Sequence, residues 1–212
     1  MQIPTKTMKT ALICKQISLL ALAFASIPAW ASKTDGTGPQ GLPNFHQVNE
    51  YIYRGAQPTD DGWKTLAKLG VKTILDLRRE DEHSTTAEAQ GVEAAGMRYV
   101  NVPMVGVVAP TEEQMSKILT LLESHTDGPV FVHCQRGADR TGAVIACYRI
   151  MHDHWENQKA LAEAKSDGMS WRQFGLKHYI EAFRSTNESA AAASGLAPEA
   201  TIRSASAQGV SE

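Results

Sequence analysis

Pro129-Val-Phe-Val-His-Cys-Gln-Arg-Gly-Ala-Asp-Arg-Thr-Gly142 is the stretch from which the rest of the chain is read. It opens with an apolar run, Val130 to Val132, bounded by Gly128 and Pro129, which predicts a buried strand. It closes on Thr141-Gly-Ala-Val-Ile-Ala-Cys-Tyr-Arg-Ile150, long and apolar enough for a buried helix. Between strand and helix lies a loop with Cys134 at its head and Arg140 six residues later. The first N–H groups of a helix have no partners of their own, and the positive end of the helix dipole adds to them. Such a turn is a ready site for an anion, above all a phosphate.

The side chains say what happens to that phosphate. Loop amides, a helix N-terminus and nearby cations all favour a thiolate over a thiol, so Cys134 is expected to be ionised at neutral pH. Arg140 presents a planar fork that holds two phosphoryl oxygens at once, which a lysine cannot do. Gly137 removes a Cβ where the loop must turn around its ligand. Gln135, Arg136, Gly137, Ala138, Asp139 and Arg140 supply the cradle. Thr141 is placed to donate its hydroxyl to the sulfur, and His133 to fix the loop through a ring hydrogen bond. The chemistry implied is attack of sulfur on phosphorus, a cysteinyl-phosphate intermediate, then attack by water. It needs no metal and no organic cofactor. His152-Asp-His154 offers two imidazoles two residues apart, which point away from each other on a helix, so it reads as a solvated helix end.

His133-Cys-x-x-Gly-x-x-Arg-Thr-Gly142 resembles the signature of the cysteine-dependent protein tyrosine and dual-specificity phosphatases. Asn44-Phe45, Tyr51-Ile-Tyr-Arg-Gly-Ala-Gln-Pro58 and Ile74-Leu-Asp-Leu-Arg78 are similar to the opening of their atypical members from plants and fungi, which act on inositol pyrophosphates. The likeness covers roughly residues 44–184. It implies two rival substrates: phosphotyrosine on a protein, or a phosphorylated inositol or its lipid. Arg54 and Arg78 would reach a polyphosphorylated substrate, or else be structurally paired. A vestigial phosphate-binding module is the non-enzyme alternative, and the intact Cys134–Arg140 pair argues against it.

One departure from that pattern concerns the proton donor. The family's familiar enzymes carry an Asp on a mobile loop about 30 residues before the cysteine. This chain has Asn101-Val-Pro-Met-Val-Gly-Val-Val-Ala-Pro-Thr111 there, with no Asp. Glu112 and Glu113 follow and are the alternative acids, although they also read as the first turn of a helix opened by a Thr111–Gln114 capping box. Asp139, immediately before Arg140, is the candidate acid, at a position where lipid phosphatases of the myotubularin and Sac type look similar in placing an Asp. Its other role is to orient Arg140 or cap the helix.

Outward from the loop, 212 residues with 42% apolar and 21% charged side chains fit one globular domain with appendages. A net charge of −2 gives no case for nucleic acid or an anionic membrane surface as partner. Lys6, Lys9 and Lys15 precede the apolar run Ile17 to Ile27, and Ala29-Trp-Ala31 precedes a cut at Ser32, so residues 1–31 read as a secretory signal peptide. The run falls short of the ~20 residues of a spanning helix. No membrane span is expected after cleavage, and export to a bacterial periplasm or medium follows. Cys147 would lie about 20 Å along a helix from Cys134, beyond disulfide reach, and is expected in the core.

Residues 32–43 read as a linker, 44–184 as the phosphatase domain and 185–212 as a disordered tail. Strands are expected at Val48–Arg54, Val71–Leu77 and Met97–Val102. Helices are expected from Asp60 to Leu69, Ser84 to Ala95, Gln114 to Glu123, Asn157 to Ser166 and Trp171 to Arg184. Trp171, Phe174, Tyr179 and Phe183 are expected in the core. Alternating strands and helices predict an α/β fold, a mostly parallel sheet with helices on both faces.

Overall fold

Alternation along short strands builds two cores at once. In the computed structural model, which describes residues 38–184, Ile52–Gly55 (β2), Thr73–Asp76 (β3), Arg98–Asn101 (β4) and Val130–His133 (β5) run parallel. His46–Gln47 (β1) adds an antiparallel edge, and the order is β1-β2-β5-β3-β4. Successive strand side chains point to opposite faces. Tyr53, Ile74 and Phe131 therefore meet Trp63 and Leu66 of helix Asp60–Lys68 (α1) and Val92 of helix Thr85–Ala94 (α2). Ile52, Leu75, Val130 and Val132 face the other way, onto helices Glu112–Glu123 (α3), Asp139–Met151 (α4), Asn157–Ser166 (α5) and Phe174–Ala182 (α6). The mostly parallel sheet with helices on both faces is as expected. The stretches expected to be a signal peptide, the first part of a linker and a tail lie outside the described residues.

β5 is the middle strand, and α4 behind it is buried without interruption from Arg140 to Tyr148. A helix apolar all round belongs inside a fold, and this pair fixes the loop between them. Cys147 is fully buried and unpaired, and burial pushes its thiol up. The capping box at Thr111 and Gln114 forms both its bonds, at 3.1 and 2.9 Å, which keeps Glu112 and Glu113 in the first turn of α3.

Most element boundaries differ from expectation by a residue or two, and three shifts have a clear local reason or consequence. β2 starts at Ile52 rather than Val48, because the Asn49 side-chain oxygen accepts the N–H groups of Tyr51 and Ile52, at 2.9 and 2.8 Å, and closes a turn of its own. α4 starts at Asp139 rather than Thr141, which puts Arg140 on its first turn. α6 starts at Phe174 rather than Trp171: the Ser170 N–H is taken by Asp139 at 2.8 Å and the Ser170 carbonyl by the Gln173 N–H at 3.2 Å. That turn leaves Trp171 and Phe174 on the surface, each 68% exposed, not in the core; Tyr179 and Phe183 pack inward as expected.

Candidate active site

The loop of residues 134–138 is held from behind by its carbonyls. Gln135 O accepts the Gln57 N–H at 3.3 Å, Arg136 O accepts the Asn44 amide at 3.1 Å, and Gly137 O accepts Arg54 Nη2 at 2.6 Å. A trans peptide points its N–H opposite to its C=O, so the amides of Arg136, Gly137 and Ala138 face the other side. None of these three N–H groups has an acceptor among the described residues. Successive amides turned one way make an anion cradle. Gly137 adopts φ +68°, and a Cβ there would press into the Gly55–Ala56 backbone, so the loop closes only with glycine at that position.

Arg54 is thus the loop's backing and not a substrate ligand. It is buried, and its other nitrogen donates to Asp167 at 2.6 Å. Cys134 lies at the floor of the cradle, 2% exposed. Beside it, Arg140 meets Glu82 in a two-pronged pair, 2.8 and 2.7 Å, and also donates to the Leu77 and Met104 carbonyls at 3.3 Å. Burial works against the Arg140 charge, but Glu82 and the Cys134 sulfur outweigh it and hold the guanidinium above its ordinary pKa. Burial likewise pushes Glu82 up, while Arg140 and Arg79 outweigh it and bring that carboxyl below its ordinary value.

Asp139 stands on the first turn of α4 with both oxygens engaged: one accepts the Ser170 N–H at 2.8 Å, the other pairs with Arg136. It joins the cradle to the segment between α5 and α6. Glu112 and Glu113 begin α3 and are not brought to the loop by any bond.

Beneath the loop is a buried polar cluster that the sequence did not announce. Asp76 accepts from Arg78 Nε at 3.0 Å and Nη2 at 3.1 Å, from the Tyr99 hydroxyl at 2.8 Å, and lies 2.8 Å from His83 Nε2. Arg78 Nη2 bridges to Glu88, so Arg78 is structurally paired and does not reach a ligand. His133 is fully buried, stacked on Phe131, with Nε2 3.1 Å from Glu88; its ring makes no hydrogen bond to the loop. The Thr141 hydroxyl is buried without a partner, so it makes no bond to the Cys134 sulfur either. Asp76, Glu88 and His133 bring three possible metal-ligating atoms within 4.8 Å of one another. The Arg78 guanidinium already bridges the two carboxylates, supplying the positive charge a cation would bring.

Known proteins resemble this chain in sequence and fold. The chain is 30% identical over 141 residues to the dual specificity protein phosphatase TpbA of Pseudomonas aeruginosa, covering 66% of this chain and 60% of TpbA, hence less than two thirds of that relative's length. It is 30% identical over 146 residues to the inositol diphosphatase DSP3 of Arabidopsis thaliana, covering 66% of this chain and 70% of the relative. The crystal structure of a P. aeruginosa TpbA variant in complex with pTyr superposes with a TM-score of 0.61 at 24% identity, over 80% of this chain and 98% of that one, a likeness of fold. A family model described as "DSP-PTPase phosphatase fused to NAD+ Kinase" matches residues 24–181, which takes in every described strand and nearly all of α6, and on that match the chain belongs to the dual-specificity and protein tyrosine phosphatase family.

Proposed function

We propose that the protein is a phosphomonoester hydrolase with Cys134 as nucleophile and phosphotyrosine on protein as substrate. One observation carries the reading: three consecutive loop carbonyls are tied back, which leaves the amides that follow them without acceptors among the described residues, in the loop headed by buried Cys134 and followed by the charged Arg140. The sulfur attacks phosphorus, an S–P bond forms as the ester P–O bond breaks, and the leaving oxygen takes a proton. Water then attacks phosphorus, the S–P bond breaks, and phosphate leaves with the thiolate restored. The amides and Arg140 stabilise charge on the equatorial oxygens through both steps. The test is an acid quench of the protein during turnover, followed by mass spectrometry of the peptide holding Cys134. A phosphate adduct on that cysteine is expected, and turnover without one overturns the reading.

A second substrate, an inositol phosphate, is favoured by the likeness to DSP3. The pairing of Arg54 with Asp167 and of Arg78 with Asp76 and Glu88 removes two of the cations that reading relied on. Phosphate release from a phosphotyrosine peptide and from inositol hexakisphosphate, measured side by side, decides between them.

Asp139 is the proton donor of this reading. Asp139→Asn is expected to slow phosphotyrosine hydrolysis by about 10²–10⁴. The same change should slow p-nitrophenyl phosphate far less, since nitrophenolate leaves without a proton. Equal losses on both substrates would assign Asp139 to positioning, through Ser170 and Arg136, and not to proton transfer.

A further inference from the structure

We infer that Trp171 and Phe174, with the valines of the segment 105–108, form an apolar rim that contacts the aromatic ring bearing the phosphate. The inference rests on the hydrolase reading and adds to it the side chains that select the substrate. Among the described residues the large apolar side chains left exposed are Val105, Val107, Val108, Trp171 and Phe174, at 42 to 68% exposure. All five belong to two segments, 105–108 and 171–174. Exposed apolar surface gathered in this way marks a contact site, whereas scattered single residues do not.

Both segments are anchored to the phosphate loop. Met104 O accepts from Arg140, and the Ser170 N–H donates to Asp139, so each segment is bonded to one of two adjacent residues of α4. Gly168 approaches Ala138 of the loop, where a Cβ on the glycine would lie 3.6 Å from the alanine Cβ. The two segments also meet each other: a Cβ at Gly175 would lie 2.7 Å from the Val107 carbonyl and 3.0 Å from the Ala109 nitrogen. The backbones that carry the rim are therefore packed on each other and bonded to Asp139 and Arg140, at the end of the cradle. Trp171 and Phe174 stand edge to face at 6.4 Å. Arg172 lies over the Trp171 ring at 5.0 Å, and Lys177 holds the Trp171 carbonyl at 2.9 Å.

Charge decides which occupant fits. Every arginine of the loop and its backing already has a carboxylate: Arg54 has Asp167, Arg78 has Asp76 and Glu88, Arg136 has Asp139, and Arg140 has Glu82. A substrate carrying several phosphates would meet paired cations at the loop, with only Arg172 and Lys177, at the edge of the rim, lacking a carboxylate partner among the described residues. A single phosphate on an aromatic ring matches one cradle and one apolar wall, and rings prefer edge-to-face or offset contact with other rings.

The experiment uses full-length Cys134→Ser protein, which binds without turnover, and measures Kd by calorimetry for three ligands: a phosphotyrosine peptide, inositol hexakisphosphate and inorganic phosphate. Trp171→Ala and Phe174→Ala in that background are each expected to weaken the peptide about tenfold, while inorganic phosphate, which has no ring, reports an intact cradle. Unchanged peptide affinity overturns the inference. So does an equal loss of inorganic phosphate, which would make Trp171 a support of the loop, or a loss of inositol hexakisphosphate as large as that of the peptide. A protein that binds none of the three overturns it as well. Wild-type protein that binds the peptide through these rings but never forms the cysteine adduct overturns the hydrolase and keeps the rim.

Discussion

Cys134→Ser protein is expected to release phosphate at background rate, a fall on the order of 10⁵ to 10⁶ in kcat, comparable with loss of the nucleophile in other covalent hydrolases. On the hydrolase reading sulfur attacks as an anion, whereas a serine hydroxyl would have to lose a proton before it could attack. His133, the nearest imidazole in sequence, is turned under the sheet toward Glu88. A serine hydroxyl there stays neutral and unreactive, although the amides and Arg140 still bind phosphate. Arg140→Lys keeps the charge and is nonetheless expected to cost about 10²–10³, the magnitude seen when one donor to a developing oxyanion is removed. An ammonium cannot bond Glu82 through two parallel N–H groups and also reach the Leu77 and Met104 carbonyls, as Arg140 does. The two variants are separated by kcat on p-nitrophenyl phosphate. Serine protein with more than about 1% of wild-type kcat would remove Cys134 from the chemistry.

The strand, loop and helix of the site were legible because their signals are local: an apolar run, a glycine needing φ +68°, an apolar helix. The partners that give the loop its shape were not. Arg54 and Asp167 are 113 residues apart, and Arg140 and Glu82 are 58 apart, so no window of sequence holds both members of either pair. Arg78 illustrates the same limit. Strand periodicity puts Asp76 and Arg78 on one face, yet Glu88 comes from α2, and only the fold shows the arginine to be spoken for. Trp171 and Phe174 failed in the opposite direction. Apolar residues are usually inside, but much of any protein surface is apolar, and composition cannot tell a core ring from a rim ring. The boundary of α6 was set by Asp139 reaching the Ser170 amide, a contact 31 residues long in sequence.

Asp76→Ala is expected to destabilise the fold by about 3–5 kcal/mol, the range for removing one member of a buried ion pair. Asp76 is fully buried, and its loss takes a partner from the Arg78 guanidinium, the Tyr99 hydroxyl and His83 at once, leaving Glu88 as the one carboxylate beside Arg78. The effect is pH-dependent. Burial alone would push the Asp76 carboxyl up, but His133 and Arg78 outweigh it and hold it below its ordinary value. In the unfolded chain an aspartate titrates near pH ~3.9. Between that value and the lower one in the fold, the unfolded chain binds more protons, so stability rises with pH there. The contribution of Asp76 is therefore complete above about pH 5 and drains away as acid drives the folded carboxyl to protonate. Glu82, also held low by its arginines, adds to the same acid limb. Urea unfolding of wild type, Asp76→Ala and Asp76→Asn, followed from neutral pH into acid, reads both quantities. Asp76→Asn keeps the shape and loses the charge, so its stability should vary less with acid than that of the wild type. The cluster is also tied to the loop, because β3 runs from Asp76 into Leu77, which accepts from Arg140 and whose N–H bonds the His133 carbonyl just before Cys134. An Asp76→Ala protein that unfolds within about 1 kcal/mol of wild type, or an Asp76→Asn acid limb as steep as the wild type's, would show that Arg78, Glu88 and His133 balance without it.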